Sequence, residues 1–231
     1  MMAPASCIPA AHGQPIAPAE SVASAAARTL RLSYDFAALA AYSRLPSAAA
    51  SRRSPARPFV LPESSDSATR ALECLTAAVY YEARSEDESG QRAVAQVVLN
   101  RVRHYAYPSS VCGVVFQGPM RSGGGCQFSF TCDGSLRQRR DQYAWDQAKR
   151  IAGDALSGRV EETVGWATHY HTQAVRPVWR RAMDTAATIG RHVFYTMSGS
   201  AGAAPAFVRR SSSLEPGTFR RAGGARTPAT E

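Results

Sequence analysis

The sequence contains no apolar run long enough to cross a bilayer, so no transmembrane segment is predicted. Its first 21 residues, MMAPASCIPAAHGQPIAPAES, have neither a positively charged start nor an uninterrupted apolar stretch, and they therefore give no clear signal peptide. The HExxH and CxxC patterns, which commonly bind zinc, are absent. Basic residues are not interleaved with aromatic ones along one element, and no known nucleic-acid motif occurs, which argues against nucleic acid as a partner.

Composition divides the chain into one domain and two tails. Residues 1–66 are dominated by Ala, Pro and Ser, and residues 198–231 by Gly, Ala, Arg, Ser and Pro. Such segments cannot bury enough apolar surface to offset the entropy of ordering them, so both are predicted to be disordered. Residues 67–197 carry the periodic, aromatic-bearing sequence and are long enough for a single core.

The chain has a formal net charge of +9, which comes largely from arginine. A basic protein favours anionic partners, such as a membrane surface or an acidic polymer of the cell wall. Charge alone does not choose among these partners.

Four of the five cysteines, Cys74, Cys112, Cys126 and Cys132, lie in the predicted domain, and Cys7 lies in the first tail. An even number within the domain suggests two disulfides, which three pairings could satisfy. Disulfides predict an oxidising location, here the periplasm or cell envelope. Buried free thiols are the alternative, and a four-cysteine zinc site is disfavoured because no CxxC pair is present.

A first helix is predicted through SATRALECLTAAVYYEAR, with Asp66 or Ser67 as its N-cap. The residues at spacings of three and four on its buried face are Leu72, Leu75, Val79 and Glu82. The helix therefore places a carboxyl group, that of Glu82, on its apolar stripe.

Two further helices are predicted, one at about residues 91–103 after a Ser89 cap, and one at about residues 142–156. The first of these turns Val94, Val97, Val98 and Val102 inward, and the other buries Trp145, Ala148, Ile151, Ala152 and Ala155. Between them, VCGVVFQG is predicted to form a short buried element and GPMRSGGG a flexible loop.

Three later segments are predicted to be strands. CQFSFTCDG alternates, with Phe128 and Phe130 on one face and polar residues on the other. TVGWATHYHT alternates again, with His169 and His171 on one face, and GRHVFYT is a final short strand. Helices come first, short antiparallel strands follow, and no βαβ alternation occurs, so the fold class is predicted to be α+β.

Glu82 has two interpretations. It could be a structural carboxylate that caps a loop or pairs with Arg84 or Arg101. Alternatively, because burial disfavours the ionised form, its pKa would be raised, and Glu82 would hold a proton suited to general-acid work on a glycosidic oxygen.

A longer sequence pattern helps to distinguish these two interpretations of Glu82. CLTAAVYYEARSEDESGQRAVAQVVLNRVRHYAYPSSVCGVVFQ, followed by CQFSFTCDG, ATHYHT and GRHVFY, closely resembles the SleB-like cell wall hydrolase family, whose founding members are spore cortex-lytic enzymes. The resemblance covers about residues 72–195. It implies a distantly lysozyme-like domain that cuts peptidoglycan between N-acetylmuramic acid and N-acetylglucosamine, with the Glu of the YxEAR motif, here Glu82, as catalytic acid. Ser85 stands where the family usually has glycine.

A glycosidase with two carboxylates needs a second acid roughly 5 to 9.5 Å from the first. The nearby candidates, Glu86, Asp87, Glu88 and Asp133, lie mostly in loop sequence. A lytic transglycosylase needs only one carboxyl group, because the C6 hydroxyl of muramic acid is the nucleophile, so that reaction is predicted, without a cofactor. Residues predicted to bind the sugars are Gln127, Ser129, Thr131, Tyr170 and His171. Asn100 and Arg101 are predicted to hold the second helix against the first, and nothing identifies a regulatory partner.

Two other functions stay open. His169 and His171, completed by His192 or His104, could bind zinc in an amidase that cuts the peptide stems of the same polymer. A non-catalytic module held to the wall by its arginines is the other alternative, although such a module has no need of a buried acid.

Overall fold

The computed structural model describes residues 54–61, 65–118 and 125–216. These residues form an α+β fold, with helices preceding a small antiparallel sheet, as predicted. The α-helices are α1 (Ser65–Ala83), α2 (Glu88–Arg103), α3 (Val111–Val115) and α4 (Gln142–Leu156). The strands are β1 (His169–Thr172), β2 (Met183–Ile189) and β3 (His192–Met197). Within these ranges, no helix is both long enough and apolar enough to span a membrane.

The main core lies between α1, α2 and α4. Leu75 and Val79 of α1 are completely buried. The four α2 valines that were predicted to face inward are also completely buried: Val94, Val97, Val98 and Val102. The α4 helix has the predicted bounds and buries Ala148, Ile151, Ala152 and Ala155, whereas Trp145 is only partly buried. Periodicity therefore predicted the helical core because one face of each helix is apolar.

The start of α2 corrects one prediction. The helix begins at Glu88, three residues before the predicted Gln91, and its N-cap is Asp87 instead of Ser89. The Asp87 carboxylate accepts a hydrogen bond of 2.7 Å from the backbone N–H of Gly90. The Ser89 hydroxyl donates to the same carboxylate, so Ser89 supports the cap from within the first turn.

The three strands are ordered β1-β3-β2, with antiparallel pairing throughout. The β1 strand falls inside a predicted segment, and β3 overlaps the predicted GRHVFYT but ends one residue later, at Met197. The β2 strand was not predicted, because MDTAATI is small and polar and lies mostly exposed at the edge of the sheet. It joins β3 through a tight turn in which Gly190 adopts a positive φ of 54°.

CQFSFTCDG is not a strand, which is a second correction. Residues Ser129–Thr131 form a 3₁₀ turn, and Cys126 is disulfide-bonded to Cys132. The alternation did predict which side chains are inside, since Phe128 and Phe130 are 3% and 2% exposed. Short turns can bury alternate residues too, so period-two burial without a partner strand was insufficient for the prediction.

The other disulfide joins Cys74 of α1 to Cys112 of α3, with the two Cα atoms 5.2 Å apart. The structure thus has one of the three pairings that the sequence left open.

Structure continues beyond residues 67–197 on both sides. Phe207 is buried and packs on Trp166 with ring centroids 4.7 Å apart, and Ala56 lies in the same cluster. The carboxylate of Glu215 accepts hydrogen bonds from the backbone N–H groups of Val111 and Cys112 at 2.9 and 2.7 Å. Residues 54–61 and 198–216 therefore pack on the domain, a correction to their assignment to disordered tails. Residues 65 and 66 of the predicted first tail belong to α1. Residues 1–53, 62–64 and 217–231 of the predicted tails, and residues 119–124 of the predicted loop, lie outside the described residues.

Candidate active site

Glu82 lies at the end of α1, where its side chain meets the sheet. Its Oε2 atom accepts a hydrogen bond of 3.1 Å from the hydroxyl of Tyr170 in β1. Pairing of β1 with the central strand sets Tyr170 opposite Phe194 and so fixes its position. The other oxygen, Oε1, has no partner among the described residues and is not enclosed. One oxygen is therefore held while the other can reach a ligand.

The surroundings of Glu82 favour its protonated form. Burial raises the pKa of this carboxyl group above its usual value, and the nearby charge of Asp133 raises it further. The hydrogen bond from Tyr170 and the charge of Arg101 act in the opposite direction without cancelling the effect of burial. Glu82 is therefore a better proton donor near neutral pH than an exposed glutamate.

Arg101 is the cation of this site. Its side chain is almost fully buried, and its Nε donates to the carbonyl of Thr168 at 2.6 Å. Its guanidinium carbon lies 5.4 Å from the ring centroid of Tyr107 and 5.3 Å from that of Phe128. Its Nη1 is buried without a partner in the described part of the chain. Arg101 thus brings a positive charge into the electrostatic environment of Glu82.

Asn100 and Arg101 do not perform the predicted role of joining α2 to α1. The amide of Asn100 donates to the carbonyls of Gly165 and Ala167, both at 2.8 Å, and Arg101 binds Thr168. Both side chains instead hold the segment that leads into β1. The signal for a buried Arg101 was its spacing of three residues from Val98 on the apolar face of α2.

Three of the four candidates for a second carboxylate are used elsewhere. Glu86 binds the backbone N–H and the guanidinium of Arg191 at the β2–β3 turn. Asp87 caps α2, and Glu88 pairs with two arginines, Arg92 and Arg150. Asp133 remains, and it is exposed and lies within electrostatic range of Glu82. Hydrogen bonds from Ser135 lower its pKa, so Asp133 is ionised at neutral pH.

The histidines do not converge on a metal site. His171 donates from Nδ1 to the Thr172 carbonyl at 2.8 Å, and its Nε2 accepts from the Tyr195 hydroxyl at 2.9 Å. Burial lowers the pKa of His169 to about 4, so its ring is neutral. The other two are apart, His192 beside Glu86 and His104 bonded to the Ala201 carbonyl. The described residues contain no group of three His, Cys, Asp or Glu side chains that could hold a metal ion.

The residues predicted to bind sugars lie in two places. Gln127, Ser129 and Thr131 belong to the turn that contains Phe130, whose ring stacks on Tyr81 with centroids 4.8 Å apart. The charge of Asp133, two residues after Thr131, raises the pKa of Glu82, so the end of this turn lies near the acid.

Tyr170 contacts Glu82 directly, whereas the described contacts of His171 are with Tyr195, Thr172 and Trp179. Trp179 is 37% exposed and can present a face to a ligand, but Trp166 is buried in the core.

The model of the Cell Wall Hydrolase family matches residues 85–195 of this chain. These residues are therefore similar to cell wall hydrolase domains. The match begins three residues after Glu82 and includes Arg101, Asp133 and Tyr170.

Several spore cortex-lytic enzymes are similar to about half of this chain. That of Halalkalibacterium halodurans is 33% identical over 124 residues, which are 53% of this chain and 34% of that protein. That of Bacillus subtilis is 30% identical over 125 residues, 53% of this chain and 36% of that protein. The chain thus spans little more than a third of the length of these two relatives.

Two solved structures are also similar to this chain. The catalytic domain of the germination-specific lytic transglycosylase SleB from Bacillus anthracis is 29% identical, with a TM-score of 0.45, and the match covers 55% of this chain and 93% of that one. The catalytic domain of the Bacillus cereus SleB protein is 28% identical, with a TM-score of 0.46, and the match covers 59% of this chain and 95% of that one.

Proposed function

We propose that this chain cleaves the glycan strand of peptidoglycan between N-acetylmuramic acid and N-acetylglucosamine, with Glu82 as its catalytic acid and base. The observation that carries the proposal is the carboxyl group of Glu82, whose pKa is raised by burial while Tyr170 holds one of its oxygens. The match of residues 85–195 to the Cell Wall Hydrolase family supports peptidoglycan as the substrate.

In the first step, protonated Glu82 donates from its unpaired oxygen to the glycosidic oxygen. The bond between C1 of muramic acid and that oxygen breaks, and an oxocarbenium-like centre develops at C1. Glu82 becomes a carboxylate. The Tyr170 hydroxyl and the positive charge of Arg101 both favour this ionised form, so they stabilise the catalytic group after proton transfer.

In the second step, the Glu82 carboxylate takes the proton from the C6 hydroxyl of the same muramic acid. The C6 oxygen bonds to C1, which yields a 1,6-anhydro sugar and returns Glu82 to its protonated state. No water is consumed and no second carboxylate is required. This lytic transglycosylase reaction is favoured because Glu86, Asp87 and Glu88 are already bound to other groups.

Hydrolysis is the second candidate, and one observation favours it. Asp133 is ionised, exposed and close enough to raise the pKa of Glu82. In this version Asp133 would act as the second carboxylate of a glycosidase, and the product would have a reducing end.

The sugars would lie along the turn that borders Glu82, with Gln127, Ser129 and Thr131 as hydrogen-bonding groups. Tyr170 and His171 complete the proposed binding residues. We also assign the protein to the periplasm or cell envelope, where its substrate lies and where the two disulfides would persist.

The test is mass spectrometry of the soluble fragments that the wild type, Glu82→Gln and Asp133→Asn release from purified sacculi. Anhydro-muropeptides from the wild type and from Asp133→Asn, with none from Glu82→Gln, are expected. Reducing-end products that disappear in Asp133→Asn would instead support the two-carboxylate hydrolase. Free stem peptides would indicate an amidase, and an absence of release would leave a binding module; either result would contradict the proposal.

A further inference from the structure

A second concave site is formed by the segments that flank the domain. It is a pocket of about 420 Å³, and its lining includes Arg57, Arg103, Arg209 and Arg210. Phe59 and Phe207 form buried parts of its wall. The pocket therefore combines a concentration of positive charge with an apolar surface.

These arginines have no carboxylate partner in the ranges that the structure describes. Arg103 donates to the carbonyls of Arg57 and Pro58, and Arg209 to the carbonyls of Tyr105 and Tyr107. The exposed side chains of Arg57 and Arg210 make no hydrogen bond or ion pair to any described residue. Burial and the neighbouring charge of Arg57 lower the pKa of Arg103, which shows that like charges are crowded here. An anion in the pocket would relieve that repulsion.

The pocket is a feature of this chain beyond the family match. Of its four arginines, only Arg103 lies within residues 85–195, and the other three lie on residues 54–61 and 198–216. The flanking segments thus supply most of the positive charge of this pocket.

We propose that this pocket binds the carboxylate groups of peptidoglycan stem peptides and so anchors the enzyme on its polymer at a point outside the catalytic site. The inference rests on the proposed function, since it takes the same polymer as ligand. Guanidinium groups bind carboxylates through paired N–H donors. The apolar wall suits small apolar side chains of a short peptide. Because stem carboxylates recur along every glycan strand, the pocket and the catalytic site could engage one polymer together, so binding would be bivalent.

The test measures binding without cutting. The full chain carrying Glu82→Gln is sedimented with purified sacculi at physiological salt, alone and with Arg57→Ala/Arg210→Ala. The matched control is Lys149→Ala/Arg181→Ala, which removes two exposed positive charges away from the pocket. The side chains of Arg57 and Arg210 are exposed and have no partner among the described residues, so the unfolding temperature of the pocket variant should equal that of the control. Loss of two charge-assisted contacts should weaken binding by about fivefold or more, relative to the control.

Three further arms identify the ligand. Sacculi whose free carboxyl groups have been converted to amides with a carbodiimide and ammonia should bind the pocket variant and the control equally. Arg57→Lys/Arg210→Lys, which retains the charge, should restore part of the binding to intact sacculi. Vesicles of phosphatidylcholine with phosphatidylglycerol should not distinguish the variants.

Equal binding of the pocket variant and the control to intact sacculi would overturn the inference. A defect that persists on amidated sacculi, or one seen on vesicles alone, would overturn it as well. If the proposed function is wrong, the protein with Glu82 intact will release no fragments from sacculi. This result is independent of the binding measured with Glu82→Gln.

Discussion

Replacing Tyr170 with phenylalanine should move the alkaline limit of activity to higher pH. The Tyr170 hydroxyl lies 3.1 Å from Glu82 Oε2, and this bond stabilises the carboxylate. A hydrogen bond to a charged group contributes about 1.5 to 3 kcal/mol. Since about 1.4 kcal/mol corresponds to a tenfold change, its loss should lower the ionisation constant of Glu82 by about tenfold or more. Glu82 would then keep its proton to higher pH, because the interaction that lowered its pKa is gone.

The assay is the initial rate of fragment release from sacculi as a function of pH. Tyr170→Phe should show an alkaline limb displaced upward, together with a lower maximal rate, because the carboxyl group is no longer held in one orientation. Tyr81→Phe is the control, since the Tyr81 hydroxyl is buried without a partner in the described residues. An alkaline limb that stays in place or moves downward in Tyr170→Phe would refute the reasoning, as would an equal shift in the control.

Three further predictions concern stability. Burial raises the pKa of Glu82 from 4.5, so above that pH the folded state binds more protons than the unfolded state, and stability falls as the pH rises. Glu82→Gln should therefore unfold at a higher temperature than the wild type at pH 8 but not at pH 4. Equal differences in unfolding temperature at both pH values would contradict this prediction. Glu215→Ala leaves the N–H groups of Val111 and Cys112 unpaired, so the free energy of unfolding in urea should fall by roughly 2 to 6 kcal/mol. Unchanged stability would show that Glu215 does not stabilise the start of α3. Asn100→Ala leaves two buried carbonyls without a hydrogen-bond donor, so the free energy of unfolding in urea should also fall by roughly 2 to 6 kcal/mol. A near-neutral effect would mean that other contacts hold the loop before β1.

The helices and the exceptional position of Glu82 could be predicted because they depend on local periodicity. Leu75 and Val79 recur at helical spacing before Glu82, and that spacing places the carboxyl group on the inner face of α1 whatever the rest of the chain does. The identity of its partners could not be predicted in this way. Tyr170 is 88 residues away, and contacts across that separation depend on how the sheet packs against the helices.

The missed features share a different cause. The β2 strand has small and polar residues because an edge strand needs only one partner, and its sequence carries little strand signal. Glu215 lies in sequence that resembles a disordered tail, yet its carboxylate satisfies two backbone donors of α3. Low-complexity composition predicts that a segment cannot form its own core, but it does not exclude packing on a core that already exists.

Glu82 is the penultimate residue of α1, and the last turn of that helix contains no basic residue. The unpaired carbonyls at a helix C-terminus together carry about half a negative elementary charge. The backbone dipole of α1 thus disfavours the ionised form of the Glu82 side chain. In the proposed reaction, it would favour return of the proton to Glu82. A carboxyl group at the N-terminus of the same helix would face the positive end of the dipole and would ionise more readily. The direction of α1 relative to the site therefore helps to keep Glu82 protonated.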